Sequence, residues 1–203
     1  MDEKAISAKI TNARVGILKE HPFFGRLLLR LKFGLADCGT AFTDMRRIVF
    51  DRNFAERLSL TELEYVLIHE VLHCVLKHCT RMKGKDPLIY NVACDIVSNS
   101  TLLEMYNKDE IKIDGQLLMH LAPDGTEGRN YTTEEVYKLL MKLSVKDFND
   151  LYGGGNLDNH QLWGEAESEN ATLEDLWNHH IKDAVVACGS GGTGIPSYLE
   201  RYL

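Results

Sequence analysis

The chain has 203 residues, of which 44% are hydrophobic and 26% are charged, and its formal net charge is −7. This composition is ordinary for a globular protein and excludes a chain that is disordered throughout. The acidic balance argues against nucleic acid and against an anionic membrane surface as partners, because phosphate contacts need clustered lysine and arginine. We expect a single domain over residues 1–203.

The N-terminus and the cysteines bear on the cellular compartment. No apolar run approaches the roughly 20 residues that span a bilayer, and the segment after Met1 is too polar for a signal peptide. The five cysteines are odd in number and include no Cys-x-x-Cys pair, which argues against a disulfide framework and a cysteine-based zinc site. These features predict a cytoplasmic protein.

The first fifty residues predict two helices and two short strands. Apolar residues at helical spacing predict a helix over residues 3–20, and a very apolar helix follows from Pro22 to Leu31. Glycines then punctuate two candidate strands, Phe33 to Ala36 and Arg47 to Phe50. We expect these two strands to pair as an antiparallel ribbon.

The middle of the chain predicts two long helices. Thr61-x-x-Glu64 has the pattern of a capping box, with Thr61 as the N-cap of a helix that runs to about Met82. The next helix begins at Pro87, since proline is tolerated in a first turn, and runs to about Tyr106. The turn between them brings the second helix back alongside the first.

The last third predicts more irregular structure. Residues 107–130 have the glycines and prolines of a loop, and Thr132 then caps a helix that runs through Leu143. A long loop extends to about Asn170, and a further helix covers Thr172 to Ala187. The chain as a whole predicts an α+β fold that is mostly helical, with a small antiparallel sheet.

The strongest chemical signal is His69-Glu70-x-x-His73 on the first of the two long helices. Residues four apart lie on one side of a helix, separated by about 40°, so two imidazoles there can bind one Zn²⁺. Glu70 lies at the edge of that face, where a carboxylate can take a proton from a water that zinc has acidified. The motif therefore predicts His69 and His73 as metal ligands and Glu70 as a catalytic base.

A catalytic zinc ion needs a third protein ligand, and His78 is the nearest candidate. It follows His69 by nine residues, which on one continuous helix rotates it about 180° away from the metal. We therefore exclude His78 as a ligand and expect a surface or core histidine that faces away from the site.

Asp95 is the predicted third metal ligand. It lies on the second long helix in a narrow polar stripe with Asn91, Ser98 and Asn99, whereas the other directions are apolar, so this helix is expected to be buried. A buried carboxylate needs a cation or a metal as its partner. The alternative is that Asp95 caps a backbone or pairs with an arginine. Asn91 and Asn99 would orient the ligands, and Glu104 lies too far along to share the stripe closely.

His160 is a further candidate for the site, in the polar loop segment Asp158-Asn159-His160. Three roles remain open for it: a fourth ligand that closes the metal site, a donor to the oxyanion of a reaction intermediate, or an exposed loop histidine.

These motifs resemble the metallopeptidase-like domains of bacteria and phages that often precede a von Willebrand factor A-like domain. The resemblance is carried by the stretches His69 to Arg81, Asn91 to Asn99, Pro22 to Gly25, Asp158-x-His160-x-x-Trp163 and Gly194-Ile195-Pro196. It implies a zincin-like helical core, one Zn²⁺ per chain and hydrolysis of a peptide or protein substrate. The chain end soon after Pro196 agrees with a C-terminal A-like domain in a longer protein.

Three hypotheses follow for the function. In the first, the chain is a zinc metallopeptidase with Glu70 as general base, His160 as an oxyanion donor, and an extended peptide paired with the sheet edge near Arg47 to Phe50. In the second, it is a non-catalytic zinc-containing module that works with an ATPase or a von Willebrand factor A-like partner, and closure of the site by His160 favours it. In the third, it is a helical scaffold without a metal.

Overall fold

The computed structural model describes residues 2–153, 167–188 and Leu199. The helices in these ranges are α1 (Glu3–Glu20), α2 (Pro22–Leu28), α3 (Arg52–Arg57), α4 (Leu60–Val75), α5 (Pro87–Met105), α6 (Thr133–Leu140), α7 (Val145–Tyr152) and α8 (Glu167–Cys188). The strands are β1 (Lys32–Ala36), β2 (Ala41–Thr43), β3 (Arg47–Asp51), β4 (Lys112–Ile113) and β5 (Gln116–Leu117). The predicted fold class, mostly helical α+β with a small sheet, is confirmed.

Strands β1, β2 and β3 form one mixed sheet in the order β1-β3-β2. Strands β2 and β3 form a hairpin, whereas β1 pairs with β3 in parallel, with Phe33 opposite Ile48. The predicted antiparallel ribbon of residues 33–36 and 47–50 was therefore wrong in direction, because the unpredicted β2 occupies the antiparallel side of β3. Since both edges of β3 are paired, the peptide cannot add to β3 as the sequence suggested.

Helix α4 begins at a capping box that lies two residues before the predicted one. Ser59 Oγ accepts a hydrogen bond from Glu62 N at 3.2 Å, and Glu62 Oε2 accepts one from Ser59 N at 2.7 Å. Leu58, before the cap, and Leu63, at the fourth helical position, are both buried. This hydrophobic pair has the spacing of a staple, which selects Ser59 over Thr61 as the N-cap.

The end of α4 is also earlier than predicted. The helix stops at Val75, and Lys77 adopts a left-handed conformation with φ of 57°. Such a residue cannot continue a right-handed helix, so the chain changes direction there. Residues His78–Thr80 form a short 3₁₀ turn instead of the last predicted helical turns.

Helix α5 packs against α4 at the centre of the fold. Asp86 caps it by accepting a hydrogen bond from Ile89 N at 3.0 Å, and every residue from Tyr90 to Leu103 is buried. The predicted burial of this helix is therefore confirmed. Burial on all sides is the reason why its sequence is apolar in nearly every direction.

The remaining helices enclose this pair. Helices α1, α2 and α8 pack against α4 or against one another, and α6 packs against α5. The predicted cap at Thr132 is confirmed, although α6 ends at Leu140. Helix α7 and the β4–β5 hairpin lie in stretches where no regular element was predicted. Within the described ranges, no helix has the length and hydropathy needed to cross a membrane.

We expect Trp177→Ala in α8 to lower the free energy of unfolding by about 3–5 kcal/mol. The indole is fully buried and its Nε1 donates a hydrogen bond to Met45 O at 2.8 Å, so the substitution removes packing and leaves a carbonyl without its donor. Urea unfolding followed by circular dichroism measures the change. Leu176→Ala, at the adjacent exposed position, is the control, and equal losses in the two variants would contradict the anchoring role of Trp177.

Candidate metal centre

Three side chains from α4 and α5 converge on one buried point. One turn of α4 separates His69 from His73, and α5 brings Asp95 opposite them. The Nε2 atoms of the two histidines lie 2.7 Å apart, and Asp95 Oδ1 lies 3.6 Å from His69 Nε2 and 3.4 Å from His73 Nε2. The structure therefore brings together the three residues that the sequence singled out as candidate ligands, with one donor atom of each within 4.8 Å of the others.

The donor atoms of the cluster are of the types that bind a divalent metal ion, and the distances between them are close to those that such an ion requires. Two imidazole nitrogens and a carboxylate oxygen are donors that zinc accepts. Tetrahedral ligands about 2.0–2.1 Å from a zinc ion lie about 3.3 Å from one another. Both histidine–aspartate distances are near that value. The 2.7 Å between the imidazoles is a hydrogen-bonding distance, so a bound ion requires the rings to separate slightly.

The electrostatics of the cluster favour an ionised Asp95. Burial raises the pKa of this carboxyl, but hydrogen bonds and charge attraction from His69 and His73 outweigh burial and hold the pKa below its ordinary value. A carboxylate that stays charged inside a protein needs positive charge beside it. Protonated imidazoles or a metal ion provide that charge at this position.

His78 is fully buried beside the cluster and is not part of the ligand group, but one of its ring nitrogens faces His73. Its Nδ1 is 2.9 Å from His73 Nδ1, and its Nε2 is 2.9 Å from Thr133 Oγ1 on α6. When His73 Nε2 binds a metal, its Nδ1 carries the proton and donates to His78, whose own Nε2–H then donates to Thr133. The expectation that His78 faces away was wrong, because the left-handed Lys77 turns the chain back towards His73.

Glu70 is fully buried within α4. It precedes Cys74 by one helical turn on α4. Burial raises the pKa of the Cys74 and Cys79 thiols, and the charge of Glu70 raises it further. A cavity opens beside His69 and Asp95, and among the described residues that line it Glu70 is absent. The structure thus gives the position of Glu70, and its role as a base stays a proposal.

The other candidates have separate positions. Asn99 Nδ2 donates to Met119 O at 2.9 Å and ties α5 to the segment after β5, while Asn91 is buried on α5. Glu104 lies at the far end of α5, where its carboxylate is 3.8 Å from Arg129 Nε. His160 lies outside the described residues, as does Trp163, so their predicted roles are untested.

We expect the chain to bind about one zinc ion, and Asp95→Asn to weaken that binding by more than the roughly 100-fold that loss of an outer hydrogen-bonding partner can cause. The substitution replaces a charged ligand with a neutral amide at the same size. Competition with a chromophoric chelator measures the affinity. Asp124→Asn, at an exposed aspartate outside the cluster, should bind zinc like the wild type. Equal affinity in both variants would exclude Asp95 as a ligand.

We expect His78→Phe to weaken zinc binding by about 10- to 100-fold without unfolding the chain, because the ring of His73 loses the acceptor that fixes its proton on Nδ1. Thr133→Val removes only the hydroxyl that accepts a hydrogen bond from His78, and should weaken zinc binding less. The same chelator competition measures both. His120→Phe, a partly buried histidine paired with Glu127, serves as the control. An unchanged affinity in His78→Phe would show that the contact does not orient His73.

The sequence matches the model of a protein family, described as a putative metallopeptidase domain, over residues 5–197. No curated protein and no solved structure matches the chain. The matched range includes α4, α5 and all three residues of the cluster. It confirms the family resemblance seen in the sequence motifs. The chain therefore belongs to the family of putative metallopeptidase domains.

Proposed function

We propose that this chain is a zinc-dependent metallopeptidase that hydrolyses a peptide or protein substrate in the cytoplasm. The observation that carries the proposal is the buried cluster of His69, His73 and Asp95 in a chain of a metallopeptidase family. A zinc ion bound there would supply Lewis acidity, which lowers the pKa of water and polarises a carbonyl.

The residues of the chain divide the remaining work. His69, His73 and Asp95 hold the ion, and His78 keeps the ring of His73 in the required tautomer. Glu70 takes the proton of the attacking water and later returns it to the leaving amine. Its place directly after His69 in the motif His69-Glu70-x-x-His73 supports this role. His160 would donate a hydrogen bond to the oxyanion.

One observation favours a second function, a non-catalytic zinc-containing module that works with an ATPase or a von Willebrand factor A-like partner. Glu70 is fully buried and is absent from the described lining of the cavity beside the cluster. A base must reach the water whose proton it removes, directly or through one further water. If Glu70 instead serves only the packing around Cys74, the metal is structural and no hydrolysis occurs.

We expect Glu70→Gln to lower peptide hydrolysis by roughly 10²- to 10⁴-fold, because the amide cannot accept the proton of water. Zinc content and the circular dichroism spectrum should stay those of the wild type. Cleavage of a broad peptide library by the zinc-loaded chain, followed by mass spectrometry, measures the activity. Glu64→Gln is the matched control, on the same helix but outside the metal cluster.

One outcome would contradict the peptidase proposal and another only the role of Glu70. A zinc-loaded wild type that cleaves no peptide of the library supports the non-catalytic module. Equal hydrolysis by Glu70→Gln and the wild type would show that another group is the base.

A further inference from the structure

A cavity with a volume of about 80 Å³ lies beside the metal cluster. Its floor is formed by α4 and α5, and its roof by the β4–β5 hairpin together with the two residues that follow. The apolar part of its lining includes Phe54, Val66, Leu102, Ile113, Leu117 and Met119. This volume is well below the roughly 300–1,000 Å³ of pockets that hold a whole drug-sized ligand, so the cavity suits a single side chain.

This cavity is also the approach to the cluster. His69 and Asp95 line it, and each keeps a small exposed fraction, 7% and 4% respectively. His73 is completely buried and is absent from the described lining. A ligand that approaches through the described cavity therefore meets the His69–Asp95 side, and the groups attached to it must lie against the apolar wall.

The charges around the cavity favour an apolar occupant. Among the described lining residues there is no lysine or arginine. Asp114 is held by Arg57, whose Nη2 lies 2.7 Å from Asp114 Oδ2. An anionic side chain would lose its hydration here without gaining a cationic partner, whereas an apolar side chain gains by leaving water.

The roof of the cavity is fixed in place before any ligand arrives. At the hairpin turn, Asp114 N donates to Glu62 Oε1 at 2.9 Å, and the ion pair with Arg57 ties the same residue to α3. Asp114 and Gly115 have the positive φ values of a tight two-residue turn. A pocket with a preformed roof spends little binding free energy on ordering itself.

We infer that this cavity binds an apolar side chain of about the size of leucine, next to the scissile bond of the peptide substrate. The inference rests on the proposed function, because it needs a metal ion that holds the adjacent carbonyl. It adds the substrate class: peptides with an aliphatic side chain beside the bond that is cleaved.

Hydroxamates, which bind zinc through two oxygens, test the pocket without any turnover. Isothermal titration calorimetry of the zinc-loaded protein compares acetohydroxamate, which reports on the metal alone, with two N-acetyl amino acid hydroxamates, of leucine and of aspartate. We expect the leucine compound to bind roughly 10- to 100-fold more tightly than the aspartate compound.

Val66→Phe fills the pocket from α4 and should remove this preference while acetohydroxamate binds as before. Val145→Phe is the same exchange at a position that is 80% exposed, and it should leave all three affinities unchanged. If Val66→Phe does not fold, Leu117→Asp at the 54% exposed mouth of the pocket gives a second test, with Leu121→Asp, also exposed, as its control.

The outcomes separate the two proposals. If acetohydroxamate binds and the leucine compound gains nothing over aspartate, or if the pocket variants keep the preference, the pocket inference is wrong while the metal centre stands. If the leucine preference holds but no peptide is cleaved, the pocket stands and the peptidase proposal falls. If acetohydroxamate fails to bind the zinc-loaded protein, the metal is closed to ligands and both proposals fail.

Discussion

Helices α4 and α5 are buried together at the centre of the molecule, and every polar group on their shared faces must find its partner inside the protein. The carboxylate of Asp95 meets the imidazoles of His69 and His73, and His73 continues the chain of contacts to His78. Through Thr133 the same series of polar contacts reaches α6. One line of polar contacts thus links three helices, so a shift in any one of them would disturb the candidate metal centre.

The parts of this centre that were predictable from sequence are those that need only helical geometry. The spacing of His69 and His73 places them on one face wherever the helix goes, and the narrow polar stripe around Asp95 marks a buried face. The connection through residues 76–86 brings the two helices together at those faces. The helices predicted over residues 3–20 and from Pro87 to about Tyr106 were correctly placed for the same reason, since periodicity reflects burial.

The predictions were wrong where tertiary contacts or a single backbone angle determine the local structure. Two overlapping capping boxes fit the start of α4, and burial of Leu58 with Leu63 selects Ser59, a signal that the sequence does contain. No sequence pattern marks a lysine that adopts the left-handed backbone conformation. The end of α4 before Lys77 and the position of His78 beside His73 could therefore not be predicted from the sequence. The parallel direction of β1 likewise depends on which side of β3 the short β2 occupies.

The buried cysteines have a consequence for the kind of metal that the centre selects. Cys74 follows His73 directly, yet among the described residues no cysteine sulfur belongs to the group of donor atoms formed by His69, His73 and Asp95. Burial also raises the pKa of Cys74, Cys79 and Cys94, which favours their thiols over thiolates. Only the thiolate is a strong metal ligand. The cluster therefore provides nitrogen and oxygen donors and no sulfur donor. A soft ion such as Cu(I), which depends on thiolates and thioethers, gains nothing from the neighbouring cysteines, whereas borderline divalent ions keep their preferred donors.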